Sequence, residues 1–350
     1  MRFDDAPALS HGGRLRAAAR RYGIPVGQWL DLSTGLNPRG WPVPAIPEEV
    51  WRCLPEDDDD LESIAAAHYG APHALAVAGT QAAIQALPWM RPPGRVGVIA
   101  SSYAEHERAW RAAGHDIDAI APGTSDADAA ASRIEAGIDA LDTLVLCNPD
   151  NPTGRLFPPS RLLAWHERLR SRGGWLVADE AYIDATPEAS IAAHAGAEGL
   201  IVLRSLGKFY GLAGARVGFV LADATLLERL RRSLGPWAVN GPGRWIAGRA
   251  LNDRAWQEAT RTRLAAESAR LDALLRDAGL DTAGGCALFR RVLADDAEAL
   301  HDALARRSVL TRLFNAPMSL RFGLPAGESD WRRLRATLTE VVSERRKDRR

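Results

Sequence analysis

Between residues 95 and 221 short apolar runs alternate with longer stretches of helical spacing. The runs are Arg95–Ala100, Thr143–Cys147, Trp175–Ala178, Leu200–Leu203 and Val217–Leu221. None alternates polar with apolar, so each suits a strand covered on both faces, as in a mainly parallel sheet. Between and before them, Gln81–Trp89, Glu105–Ala113 and Pro159–Arg172 place apolar residues at helical intervals. Strand followed by helix, repeated, predicts an α/β layer over roughly residues 55–235.

The flanks read differently. One helix is expected near Arg14–Tyr22, then a loop with five prolines between Pro25 and Pro47. Four acids, Asp57–Asp60, precede Leu61, where negative charge favours the positive end of a helix. Gly235-Pro236 and Gly241-Pro242-Gly243 read as punctuation. A long helical tract follows, Trp256–Ala278, with Trp256, Leu264, Leu271, Leu274 and Leu275 on its apolar face. The remainder predicts a small α+β lobe: strands near Ala287–Val292 and Ser319–Phe322, a helix near Ala297–Arg306 and a closing helix. The basic tail, Arg345–Arg350, is expected to be a frayed, solvated end. The implied division is an N-terminal arm with part of a small domain (1–50), a large domain (51–240), and an interdomain helix with the C-terminal small domain (241–350).

Composition narrows the function. The 350 residues carry 44 basic and 44 acidic side chains, a net charge of zero, which argues against a nucleic-acid or membrane-surface binder. The longest mostly apolar stretch, Ala74–Met90, is broken by Gly79, Gln81, Gln85 and Pro88 and cannot span a bilayer. Met1–Ser10 has two aspartates and no apolar run, so a cytoplasmic protein is expected. Three scattered cysteines make neither a disulfide framework nor a Cys-based zinc site, and no metal is expected. One imbalance hides in the neutral sum. Lysine occurs only at Lys208 and Lys347, leaving 42 of the 44 basic residues as arginine.

Lys208 lies mid-chain in Arg204-Ser205-Leu206-Gly207-Lys208-Phe209-Tyr210-Gly211, after an apolar strand. It is not a P-loop lysine, because Val202 replaces the first glycine and Phe209 the following hydroxyl residue. A Schiff base requires an amine, and a guanidinium cannot replace it. Asp179 ends the apolar run Trp175–Ala178, at the strand end where open α/β sheets bind ligands. Asn148–Gly154 follows another strand as a proline-fixed turn. Val77–Ala83 reads as strand end, glycine turn and helix start, whose free N–H groups suit a phosphate.

Together and in this order, Asn151-Pro152-Thr153-Gly154, Asp179-Glu180-Ala181-Tyr182 and Ser205 through Arg216 resemble the fold-type I pyridoxal-phosphate enzymes, the aspartate aminotransferase superfamily. The resemblance implies a large domain with a mainly parallel sheet flanked by helices, a small α+β domain, pyridoxal 5'-phosphate as cofactor and a homodimer. It implies that Lys208 carries the cofactor, that Asp179 pairs with the pyridine nitrogen, and that Asn151 and Tyr182 bond the ring oxygen. Gly79, Thr80, Gln81, Ser205 and Arg216 would hold the cofactor phosphate, Tyr103 would stack on the ring, and Arg321 would grip the substrate carboxylate. Two positions depart from the pattern. Gly207 stands where many relatives have Ser or Thr, and Leu54 where many have a tyrosine that reaches the neighbouring subunit.

Within the superfamily, four passages resemble the cobalamin-pathway L-threonine-O-3-phosphate decarboxylases. They are His11-Gly12-Gly13 with Leu30–Pro38, which contains Asn37; the loop Gly207–Gly214; Pro236-Trp237-Ala238-Val239-Asn240; and Arg312 before the last strand. This implies a lyase that converts O-phospho-L-threonine to (R)-1-aminopropan-2-yl phosphate. His11, Arg14 and Arg312 would neutralise the substrate phosphate, and Asn37 is a further substrate-binding candidate. The alternative implied by the same motifs is an aminotransferase acting on histidinol phosphate or a related phosphorylated amine.

Overall fold

The computed structural model describes residues 11–121 and 127–348, with side chains as far as Arg345. The expectations for Met1–Ser10 and for the end of the basic tail lie outside the described residues. The chain divides into two compact units. Among the described residues one comprises 40–151 and 155–261, the other 11–39, 152–154 and 262–348. Residues 241–261, expected to go with the interdomain helix and the C-terminal small domain, fall within the larger unit.

The larger unit is built on a seven-stranded sheet. Its order is Leu75–Val77, Gly218–Leu221, Leu200–Ser205, Trp175–Asp179, Thr143–Cys147, Arg95–Ile99 and Asp116–Ile120. All pairs are parallel except those made by Gly218–Leu221, which runs against both neighbours. The central strands are buried along nearly their whole length, as their unbroken apolar runs require. Asp116–Ile120 escaped the sequence pattern because it is an edge strand, half-exposed and alternating acids with apolar residues.

The Gly241-Pro242-Gly243 punctuation is a correction. It opens the helix Gly241–Asn252, with the Gly243 N–H donating to Asn240 Oδ1 at 2.7 Å. Pro242 sits in the first turn, where its missing N–H costs nothing. The acidic run does start a helix, Leu61–Tyr69. The Leu61 N–H donates to Asp59 Oδ1, and Arg244, buried, grips both Asp59 oxygens at 2.7 and 2.5 Å. Burial opposes ionisation of Asp59, yet these bonds hold its carboxyl below the usual range.

In the smaller unit an antiparallel sheet runs in the order Arg312–Asn315, Met318–Gly323, Phe289–Leu293, Thr282–Cys286. A second, two-stranded sheet pairs Leu30–Asp31 in parallel with Val309–Leu310, which places the N-terminal segment in this unit. Glycine-rich Thr282–Cys286 and polar Arg312–Asn315 carry no apolar run, so sequence reading missed both. Helix Ala297–Arg306 falls where expected, and the long tract folds as Arg254–Asp277. The closing helix, Glu328–Asp348, corrects the expectation of a tail frayed from Arg345. Arg345 is held by Asp296, its Nε at 3.1 Å. Among the described residues no helix is long and apolar enough to cross a membrane.

Candidate active site

Adjacent strands of the large sheet end at Cys147, Asp179 and Ser205, and Cys147 and Asp179 are register partners. Asp179 is buried, and its two oxygens have separate partners. Oδ1 accepts the Ala181 N–H at 3.0 Å, and Oδ2 lies 2.9 Å from His106 Nε2. His106 comes from helix Ala104–Ala112 and is also buried. Nothing in the sequence marks it, since a single histidine on a helix carries no spacing signal.

Tyr103 leads into the same helix, its ring edge-on to His106 at 6.0 Å. Its hydroxyl donates to Gln81 Oε1 at 3.3 Å, and Gln81 Nε2 donates to Glu105 at 3.1 Å. Burial, and then the charges of Asp179 and Glu105, push the phenol up, so it stays neutral. Ligand atoms of His106, Cys147 and Asp179 lie within 4.8 Å of one another. Burial and the neighbouring Asp179 raise the thiol well above its usual range, so Cys147 carries its proton.

Lys208 sits in a loop closed on itself by the Leu206 N–H to Val217 carbonyl and Leu212 N–H to Leu206 carbonyl bonds. Its Nζ is 5.4 Å from the centre of the buried Tyr182 ring. Asn151 follows the strand Thr143–Cys147 in a half-buried turn. A third cluster forms where the loop ends. Gly79, at φ +71, precedes helix Thr80–Ala86, and a Cβ there would come within 2.6 Å of the Arg216 guanidinium. Only a residue without a side chain leaves Arg216 that position. The Gly207 N–H donates to Ser205 Oγ at 3.2 Å, which leaves the hydroxyl proton free to donate elsewhere.

A buried clamp supports this arrangement. Arg204 Nη1 donates to Glu180 at 2.9 Å, and Nη2 donates to Asp184. It joins the segment after Asp179 to the strand before Lys208. Burial disfavours the guanidinium charge, but Asp184 and Glu180 raise its pKa above the usual arginine value.

In the smaller unit Arg321 is buried, and its Nη2 donates to the Ser33 carbonyl at 2.9 Å. Arg312 is its register partner on the neighbouring strand. Burial, then Arg321 and Arg14, lower the Arg312 pKa. His11, Arg14 and Arg312 line one cavity of about 310 Å³, as does Ser33. Ser33 Oγ donates to Asp31 Oδ1 at 2.6 Å and accepts the Gly13 N–H at 2.8 Å, fixing the His-Gly-Gly turn. Asn37 is not among the lining residues of this cavity. Its Oδ1 accepts from the Arg39 N–H at 3.0 Å and from Arg263 at 3.1 Å.

These residues fit pyridoxal 5'-phosphate. The larger unit supplies an amine, a buried carboxylate for a protonated ring nitrogen, aromatic rings, and a guanidinium beside a side-chain-free turn for the phosphate. A mainly parallel sheet with these groups at its strand ends defines a fold-type I pyridoxal-phosphate enzyme. The chain belongs to the aminotransferase class I and II family, whose model matches residues 49–337.

Over 330 residues it is 56% identical to threonine-phosphate decarboxylase of Pseudomonas aeruginosa, covering 94% of this chain and 97% of that protein. It is 41% identical over 340 residues to the threonine-phosphate decarboxylase of a Sinorhizobium species, covering 95% and 98%. Among solved structures, histidinol-phosphate aminotransferase of Sinorhizobium meliloti in complex with pyridoxal-5'-phosphate is similar in fold. The TM-score is 0.81 at 20% identity, over 97% of this chain and 96% of that one.

Proposed function

We propose that the chain decarboxylates O-phospho-L-threonine to (R)-1-aminopropan-2-yl phosphate, a step of cobalamin biosynthesis. The observation that carries this is the 56% identity to a threonine-phosphate decarboxylase over 94% of the chain. Lys208 would hold the cofactor until the substrate amine displaces it. Asp179, oriented by His106 and the Ala181 N–H, would hold a proton on the ring nitrogen. Asn151 and Tyr182 would bond the ring oxygen and Tyr103 would stack on the ring face. Gly79, Thr80, Gln81, Ser205 and Arg216 would bind the cofactor phosphate.

When bound, the cofactor supplies an electron sink for the pair released as the Cα–carboxylate bond breaks. Arg321 would orient the carboxylate, and His11, Arg14 and Arg312 would neutralise the substrate phosphate. Asn37 would steady the segment between Ser33 and Arg39 through its bonds to Arg39 and Arg263. Once CO₂ has left, Lys208 Nζ would deliver the proton that Cα needs, so substrate and one proton give amine and CO₂.

Incubation with O-phospho-L-threonine tests the reading. CO₂ release without 2-oxoglutarate is expected; amino transfer from histidinol phosphate to 2-oxoglutarate without CO₂ would replace it with an aminotransferase. The enzyme is further proposed to work as a cytoplasmic homodimer. Exposed Trp51, Leu54 and Trp237 are apolar surface that a second copy would cover, and Leu54 lines a cavity of about 600 Å³ that contains none of the cofactor residues named above. Light scattering of the purified protein tests the dimer: a monomer mass would refute it.

A further inference from the structure

The cavity lined by His11, Arg14 and Arg312 has a wall that the sequence motifs do not include. His301, on helix Ala297–Arg306, lines it together with Arg21 and Thr311. The His301 Nδ1 lies 3.0 Å from the Oγ1 of Thr311, which is itself buried. Among the described residues its Nε2 has no hydrogen-bond partner. A hydroxyl can donate or accept, so this bond serves either ring form. When Thr311 donates to Nδ1 the ring proton sits on Nε2, and in the doubly protonated ring Nδ1 donates to Oγ1 and Nε2 still carries a proton.

The remaining walls bring mainly positive charge. Arg21 and Arg312 face the imidazole, against Asp302 and Glu298 from its own helix. Asp302 is already engaged by the Tyr22 hydroxyl at 2.9 Å and by Arg306 at 2.7 Å. The Gly12 backbone packs so closely on the Ser33 carbonyl that a side chain there would collide, which holds the His11 turn against the cavity. The site is thus a half-enclosed cavity with several guanidiniums, two imidazoles and fixed donors, matched to a tetrahedral dianion.

We infer that His301 is a specificity-determining residue of this enzyme, its Nε2–H donating to the phosphoryl group of the substrate between Arg14 and Arg312. This deepens the proposed function and rests on it. Burial, then Arg21, keep the free imidazole below its ordinary pKa. A dianion in the cavity reverses that balance, so binding is accompanied by proton uptake on Nδ1, which then donates to the Thr311 hydroxyl oxygen.

The test uses the holoenzyme and three forms of residue 301. His301→Ala should raise KM for O-phospho-L-threonine by about tenfold to a hundredfold, as for a hydrogen bond to a charged group, with a much smaller change in kcat. His301→Gln, which keeps a neutral donor, should recover part of that loss. Unchanged KM in the alanine variant, or a glutamine variant no better than alanine, would overturn the assignment. Wild-type holoenzyme labelled with ¹⁵N-histidine is also titrated with inorganic phosphate. The His301 nitrogen signals should move toward the protonated form, and signals that stay put sink the proposal. If the wild type releases no CO₂ from O-phospho-L-threonine, the proposed reaction fails separately, and the phosphate titration alone decides the site.

Discussion

Arg312 and Arg321 stand directly opposite each other on antiparallel strands, with the Phe314 ring 5.1 Å from the first guanidinium and 5.8 Å from the second. Like charges in register destabilise a strand pair, and the aromatic face offsets only part of that repulsion. An anion bound between the two guanidiniums would relieve that repulsion. Neutralising one member should therefore help the free fold and harm the function.

Arg312→Met tests that trade. In anion-free buffer it should leave the melting temperature unchanged or raise it, from a relief of roughly 0.5–1 kcal/mol. The KM for phosphorylated substrate should rise by about tenfold or more. Inorganic phosphate should stabilise the wild type more than the variant in thermal scans. Equal stabilisation of both would show that Arg312 does not contact the anion.

Lys208→Arg preserves charge and rough length but removes the nucleophilic amine. Turnover should fall by about a thousandfold or more, and visible cofactor absorbance should be lost. Borohydride reduction of the wild type should fix pyridoxyl mass on Lys208. Label on Lys347 would refute the assignment.

His106 touches no proposed substrate group, so it acts through Asp179 as a positioning residue. His106→Gln should slow decarboxylation by about tenfold, and Asp179→Asn by a far larger factor. The spectral pH titration of the bound cofactor separates positioning from folding. It should shift in the His106 variant, and an unshifted titration with normal melting would contradict the role.

Removing one partner of a buried ion pair leaves the others uncompensated. Arg204→Met should cost about 3–5 kcal/mol in chemical denaturation, because Glu180 and Asp184 remain buried with no cation. Replacing all three with apolar residues of similar volume should recover most of that loss. A variant that loses less than about 1 kcal/mol would show that the clamp does not hold the two strand ends.

His68 sets a pH dependence. Its Nε2 lies 3.1 Å from the Tyr210 hydroxyl, and burial, with Arg204 and Arg261 against Asp184, holds its pKa below 6.5. The unfolded chain then binds the proton more readily than the folded one. Stability is whole above pH 6.5 and falls as pH drops from there toward the folded pKa. Melting temperature followed from pH 7.5 to 5 should fall less steeply in His68→Gln than in the wild type. Parallel curves would exclude His68 as a source of the acid sensitivity.

Much of this protein was legible from local chain chemistry. Unbroken apolar runs marked the central strands because a sheet buried on both faces admits little else. The retained amine at Lys208, the carboxylate at the end of Trp175–Asp179 and the turns around Gly79 and Asn151 pointed to the cofactor, since each role needs that functional group on a strand end or turn. What stayed hidden depended on partners distant in sequence. The edge strand Asp116–Ile120 takes its conformation from Arg95–Ile99, and the helix at Gly241 from a cap that outweighs its glycines. His106 meets Asp179 only when a helix packs over the sheet, and Arg312 faces Arg321 only through register. His301 joins His11 across nearly the whole chain. Sequence determined which chemistry was available; tertiary structure decided which side chains share one cavity, because distance, burial and register arise only when remote segments pack.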